Sequence, residues 1–295
     1  MKGRLAAVLA LAAAPVVAQP QDFSKVEIKA EKVAEGVYML TGAGGNVGLS
    51  VGQDGAFVVD AQFAPLTDKI LAAIRTINPA PVRFVVNTHV HSDHVGGNEN
   101  MGRAGAILVA HENVRKRMSV EQFNATFNRK TPPAPESALP VLTFTDAVTL
   151  HWNGDDIEVT HVPPAHTDGD AYVRFVRADV VHMGDLFFNG GYPFVDVSSG
   201  GRIDGVIAAA DQVLAATGEK TRIIPGHGPL ASRADLQAYR DTLRTLRDRI
   251  AKLKAEGRSR DEVIAARPTA DHDAELGTGF MKGDVFTGLV YDSLR

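Results

Sequence analysis

The chain has 295 residues, 44% hydrophobic and 22% charged, ordinary values for a globular protein and enough for one core of about 250 residues or two smaller ones. Its formal net charge of −4 and pI near 6.2 leave no basic stripe of the kind a polyphosphate backbone requires, so a nucleic-acid partner is not expected. There is no cysteine, which excludes disulfides, thiolate metal ligands and lipidation at a signal-peptide cysteine.

Residues 1–18 read as a signal peptide. Lys2 and Arg4 give a positive start, and Leu5 to Val17 is an apolar run of 13 residues, short of the roughly 20 a membrane span needs. Val16 and Ala18 place small residues ahead of Gln19 and Pro20, where a signal peptidase cuts. The expectation is cleavage near Ala18 and a periplasmic or secreted protein without a membrane span, residues 19–295 forming a single domain. An uncleaved anchor is the competing reading of the same run. Losing Lys2 and Arg4 takes the net charge from −4 to −6.

The remainder reads as two similar halves of strands followed by helices. Strands are predicted at Val26–Lys29, Val37–Thr41, Val47–Val51 and Ala56–Asp60, separated by Glu35-Gly36, Gly42–Asn46 and Gln53–Gly55 turns. A helix follows from about Pro65 to Ile77. Val82–Asn87 is an apolar run between polar neighbours, the mark of a strand buried on both faces. The second half offers strands at Val141–Phe144, Val148–Trp152, Ile157–His161, Ala171–Val176, Val180–Gly184 and Arg222–Pro225, and a helix over Ile203–Ala216. In the long helix after Ser232, residues Leu236, Tyr239, Leu243, Leu246, Ile250 and Leu253 repeat at spacings of three and four, one apolar stripe ending at Gly257. Ser119–Pro140 and Phe187–Gly201 are irregular, and long irregular segments in a compact domain are often functional.

The chemistry gathers directly after the buried strand. His89-Val90-His91-Ser92-Asp93-His94 puts four potential metal ligands within six residues of a chain holding ten histidines. Neutral imidazole suits zinc, and a carboxylate among imidazoles adds negative charge and a hydrogen-bond acceptor.

His-x-His-x-Asp-His after a hydrophobic strand resembles the signature of the metallo-β-lactamase superfamily. That family's later stations follow in order: His166 in Pro163-Pro164-Ala165-His166-Thr167, Asp185 in Met183-Gly184-Asp185, and His227 in Pro225-Gly226-His227-Gly228. The resemblance runs from about residue 25 to 257 and implies an α+β fold, a four-layer αβ/βα sandwich with its site along the shared edge of two sheets. It also implies roles. His89, His91 and His166 would form one zinc site, Asp93, His94 and His227 a second, and Asp185 would bridge two Zn2+ ions. Iron and manganese stay open as alternatives. Two such metals acidify a bridging water and polarise a carbonyl, so the implied activity is hydrolysis by a metal-bound hydroxide that Asp93 orients. Asp93 and Asp185 are the expected catalytic residues.

Outside this set, His111, His151, His161, His182 and His272 read as structural. Asp60, closing its strand, either orients the histidine loop, as the family's aspartate at that place does, or caps the strand end; Thr88 and Thr167 are candidates to support the ligands. Phe187, Phe188, Tyr192 and Phe194 are candidates for an apolar substrate wall, with Phe123 and Phe127 opposite; filling the core beneath the loops is the equal alternative. The expected partner is a small molecule with a scissile carbonyl. Aspartate at 185, where the main zinc β-lactamase subclasses carry cysteine or serine, points to a β-lactamase-like enzyme with weak or promiscuous β-lactam cleavage. A lactonase or thioesterase of the same fold is the alternative within the class, and a non-catalytic metal-binding accessory of a periplasmic redox system the alternative outside it.

Overall fold

A computed structural model describes residues 22–295, and the segment read as a signal peptide lies outside the described residues. Alternation along the strands decides the architecture. In the strands β1 (Lys29–Ala34), β2 (Val37–Thr41), β3 (Val47–Gly52) and β4 (Gly55–Val59), each antiparallel to the next, neighbouring apolar residues point to opposite faces and both faces find cover. Val37, Met39, Phe57 and Val59 face a second sheet, whereas Leu40, Leu49 and Val58 pack under a helix.

That helix, α1 (Thr67–Ile77), presses Ile70 and Ile74 onto the first sheet and crosses over to β5 (Val82–Asn87), parallel to β4. The short helices α2 (Ser92–Val95) and α3 (Asn98–Arg103) lead to β6 (Ile107–His111), and α4 (Glu112–Met118) leads to a hairpin of β7 (Gln122–Asn124) and β8 (Arg129–Thr131). Strand β9 (Leu142–Phe144) completes a seven-stranded sheet in the order β1-β2-β3-β4-β5-β6-β9.

The second sheet has six strands in sequence order: β10 (Ala147–Trp152), β11 (Asp155–His161), β12 (Ala171–Phe175), β13 (Val180–His182), then β14 (Arg222–Ile224) and β15 (Ala231–Ser232). Helix α5 (Ile203–Ala216) links β13 to the parallel β14, and α6 (Arg233–Ala255) lies beside it on the outer face with α7 (Arg260–Ala265), α8 (Asp273–Leu276) and α9 (Gly283–Ser293) beyond. The sheets meet through a shared core in which Phe57 and Phe175 contact edge to face, ring centres 6.2 Å apart. Helix, sheet, sheet, helix is the expected four-layer α+β sandwich.

The long helix α6 follows its sequence signals closely. Ser232 and Asp235 form a reciprocal capping box, and the helix stops just before Gly257, whose φ of +83° is a left-handed conformation that glycine accepts without strain. Two strand expectations need correction. Val26–Lys29 is not a strand: the carbonyls of Phe23, Ser24 and Val26 are gathered by the Lys69 ammonium at 2.7–3.0 Å, and pairing begins only at Lys29. The strand near Val141 belongs to the first sheet, running parallel to β6 in the pairing Val109↔Leu142, so the first half extends to Phe144.

Leu246 is fully buried on the apolar stripe of α6. Leu246→Ala should lower unfolding stability by about 3 kcal/mol through lost burial and a residual cavity; urea unfolding followed by circular dichroism checks this, and a loss below about 1 kcal/mol would show that the stripe is not closely packed.

Candidate metal centre

The strand ends that leave the two sheets on one edge carry the polar cluster. Thr88 and His89 continue β5, Asp185 follows β13 in a tight turn over Gly184–Leu186, and His227 follows β14; His166 stands in the loop between β11 and β12. His91 stands immediately before α2 without capping it, which places Asp93 and His94 on the helix's single turn.

Four of the five histidine ligand candidates are fixed from behind. Asp60 takes a left-handed φ of +66° at the end of β4. One of its oxygens accepts the Thr88 N–H at 2.7 Å, and the other accepts the Thr88 hydroxyl and His94 Nδ1–H, both at 2.7 Å. With its proton given to Asp60, the Thr88 oxygen accepts His89 Nδ1–H at 3.0 Å. Nε2 of both His89 and His94 is thereby turned inward, buried and without a hydrogen-bond partner. His91 Nε2–H donates to Asp196 at 2.9 Å and His166 Nδ1–H to the Phe194 carbonyl. Their remaining nitrogens, His91 Nδ1 and His166 Nε2, face each other 2.8 Å apart. Two facing lone pairs call for a shared cation.

Asp185 divides the cluster. It is 5% exposed. Its Oδ2 lies 3.7 Å from His89 and 3.5 Å from His166, and its Oδ1 lies 3.1 Å from His94 and 3.4 Å from His227. Asp93 Oδ2 completes the second group, 3.6 Å from His94 and 3.3 Å from His227. The ligand atoms of His89, His91, His166 and Asp185 form one compact set, those of Asp93, His94 and His227 another, each within 4.8 Å. Buried atoms without a hydrogen-bond partner, His89 Nε2, His94 Nε2 and Asp185 Oδ1, fit a metal ion, since a buried polar atom without a partner is otherwise costly. Glycine at 226 lets Asp185 come this close: a Cβ there would collide with Asp185 Oδ1.

The electrostatics follow from crowding. Burial holds His89 well below the usual imidazole range, reinforced by the neighbouring His94 charge, and burial lowers His166 too. Burial works against ionising Asp185, but His227, His94 and His89 hold it far below the ordinary carboxylate range; partial burial opposes the charge on Asp93 too, yet His94 and His227 bring it to about 2. Burial also opposes charge on His227, yet Asp185 pushes it up to about 9. A cluster without metal balances its carboxylates with protonated imidazoles, and dications would serve the same purpose.

The family model of the metallo-beta-lactamase superfamily matches residues 40–256. The chain belongs to that superfamily. Among solved structures, a metallo-beta-lactamase from Pontibacter korlensis superposes with a TM-score of 0.61 at 20% identity, over 74% of this chain and 99% of the other. The DIM-1 metallo-beta-lactamase gives 0.61 at 22% identity, over 75% and 99%. The sec-alkylsulfatase Pisa1 from Pseudomonas sp. gives 0.69 at 17% identity, over 90% of this chain, which spans 50% of that enzyme. At these identities the likeness is one of fold.

All seven expected ligands come together. Asp60 does more than cap its strand, holding both Thr88 and His94. Thr167 is also engaged, but with Asp170, which takes its hydroxyl and, at 2.8 Å, its N–H, and so braces the loop beside His166. His182 is structural, as expected: it is buried, accepts Gly184 N–H and donates to the Asn46 carbonyl at 3.1 Å. His111 and His161 stack on each other, ring centres 3.7 Å apart. The aromatic wall divides. Phe188 stacks on His227 at 5.1 Å, and Phe194 lies 5.7 Å from the His91 ring, both lining the cavity above the cluster. Phe187 does not line it: at 1% exposure it packs against Tyr239 in the core, because its side chain falls on the opposite side of the chain from Phe188. Tyr192 borders the cavity but is buried, its hydroxyl given to Asp273 at 3.0 Å. Sequence reasoning missed Asp196 and Asp170. Asp196, with Ser199 three residues on, carried only a turn signal.

Asp60→Asn and Asp196→Asn should each weaken metal binding about 10- to 100-fold, since a carboxylate that orients an imidazole ligand has been made neutral. Metal content after competition with a graded chelator reads this out; wild-type affinity in both variants would show that neither carboxylate orients a ligand.

Proposed function

We propose that the protein is an exported, two-zinc hydrolase that cleaves a carbonyl compound, with residues 1–18 as its signal peptide, residues 19–295 as one domain, and the periplasm or the exterior as its location. The observation that carries this reading is the division of Asp185, one oxygen turned to each histidine group. His89, His91 and His166 would hold one ion, Asp93, His94 and His227 the other. The metals, when bound, would acidify water and polarise the carbonyl oxygen.

The chain's own residues supply position and exclusion. Asp93, partly exposed to the cavity and kept ionised with a pKa of about 2, accepts a hydrogen bond from the attacking water and aims it. Asp185 stays ionised beneath. Phe188 and Phe194 shield the reacting centre on either side. A cavity of about 1030 Å³ reaches Asp93, Asp185 and His227 from solvent, room for a substrate of drug-like size or larger, and this favours an enzyme over a metal-holding accessory protein. Among the described residues no helix is long and apolar enough to cross a membrane.

β-Lactams are the first class to test, with lactones and thioesters next and, given the sulfatase neighbour, a secondary alkyl sulfate. The zinc-loaded protein should hydrolyse a chromogenic cephalosporin slowly, and a chelator should abolish the rate. Absence of any metal-dependent turnover across all four classes would refute the hydrolase reading. Asp185→Asn should release the second equivalent of zinc first and reduce turnover by at least 100-fold; normal zinc content and rate in that variant would remove its bridging role.

A further inference from the structure

The exposed large aromatic side chains of the described residues are Phe123, Phe127 and Phe280, at 50%, 45% and 73% exposure, and all three line the mouth of the cavity above the cluster. They come from separate parts of the chain. Phe123 and Phe127 belong to the β7–β8 hairpin, and Phe280 lies beyond residues 40–256, the span shared with the superfamily. Phe127 and Phe280 meet with ring centres 5.4 Å apart, Phe127 meets Phe194 at 5.1 Å, and Phe194 reaches His91 at 5.7 Å. A line of rings thus runs from solvent to a ligand candidate.

Both arms are rooted in the loops that shape the site. Arg117 clasps Asp168 with two hydrogen bonds, at 2.6 and 2.7 Å, and reaches Gln122 at 3.0 Å, fixing the hairpin base to the His166 loop. At the hairpin tip, Ala125 N–H donates to Ser198 at 3.1 Å. The C-terminal arm is held where Tyr192 N–H donates to the Leu276 carbonyl at 3.2 Å and where Met281 is buried. The bases are fixed while the rings at the ends stay in water, an unfavourable state that an apolar guest relieves.

We propose that Phe127 and Phe280 clamp an apolar tail, and that the substrate is an amphiphile whose linear alkyl or extended aryl group lies along these rings while its scissile group reaches the metal centre. The substrate half of this inference rests on the hydrolase reading. The occupant is a small molecule because the rim is continuous with a cavity that descends to Asp185 and His227.

The test measures binding apart from turnover. N-phenyl-1-naphthylamine, bound to metal-loaded and to metal-free protein, is displaced with straight-chain alcohols of increasing length. The dissociation constant should fall two- to fourfold per added methylene, fourfold being about the limit for full burial. Phe127→Ala and Phe280→Ala should each flatten that dependence, and Phe280→Leu should restore most of it. Val141→Ala, at a residue 75% exposed outside the cavity, should leave it unchanged. A flat wild-type series, or a steep one that survives both alanine variants, would overturn the clamp. So would a wild-type dimer that Phe280→Ala converts to monomer, or binding to phosphatidylcholine vesicles without any chain-length dependence for the alcohols, since the rim would then face a second copy or a lipid surface. A parallel series of nitrophenyl esters, run beside the four substrate classes above, separates the two readings: chain-dependent alcohol binding without metal-dependent turnover of any of them keeps the clamp and discards the hydrolase.

Discussion

Everything at the open edge of this sandwich answers to one buried carboxylate. Asp185 sits between four imidazoles at distances of 3.1–3.7 Å, almost without water, and burial of an unpaired charge would cost several kcal/mol. Compensation has to come from cations that touch both of its oxygens. Three of them, His89, His94 and His166, present the nitrogen facing Asp185 because the far nitrogen is already engaged, by Thr88, Asp60 and the Phe194 carbonyl, and Asp196 does the same for the neighbouring His91. The site is therefore built from the outside inward: backbone fixes carboxylate and hydroxyl, these fix ring orientation, and ring orientation decides where the free lone pairs converge.

Much of this was legible in the sequence because the ligands sit at strand ends. A buried strand such as Val82–Asn87 announces itself by composition, and whatever follows it emerges at the sheet edge, so the His89–His94 run could be placed before any contact was known. Asp185 after β13 and His227 after β14 were legible only through the resemblance of their short motifs to the superfamily. Asp196 was not legible, for it reaches His91 across 105 positions of sequence through a turn that looks like any other. Nor could the strand at Val26–Lys29 be rejected from its apolar pattern, since the Lys69 side chain that diverts it lies on a helix more than forty residues away. Phe187 and Phe188 are adjacent and alike in composition; only the local bridge between Phe188 and His227 decides which of them meets the cavity.

The hairpin and the C-terminal arm belong to a different layer of the design. Neither contributes a ligand candidate, and Phe280 lies outside the span shared with the superfamily. They are hung on the site loops by a bidentate ion pair, a hydroxyl and buried hydrophobic residues, so the cavity mouth can vary while the ligand geometry below it stays fixed. This separation, rigid centre and adaptable rim, is consistent with one fold carrying many activities.

The ligand candidates are also divided between the sheets. His89, His91, Asp93 and His94 hang from the first, and His166, Asp185 and His227 from the second, the chain crossing between them at Thr145-Asp146. Across that seam, Asn46 on the first side bonds the carbonyls of Pro225 and Gly228, and His182 on the second bonds the carbonyl of Asn46. Neither half alone can complete a coordination sphere. An ion seated here would act as a rivet between the layers, and prying the sheets apart by a fraction of an ångström would be felt first as lost metal affinity. The strength of the sandwich and the grip on its ions are then the same mechanical property, measured in two ways.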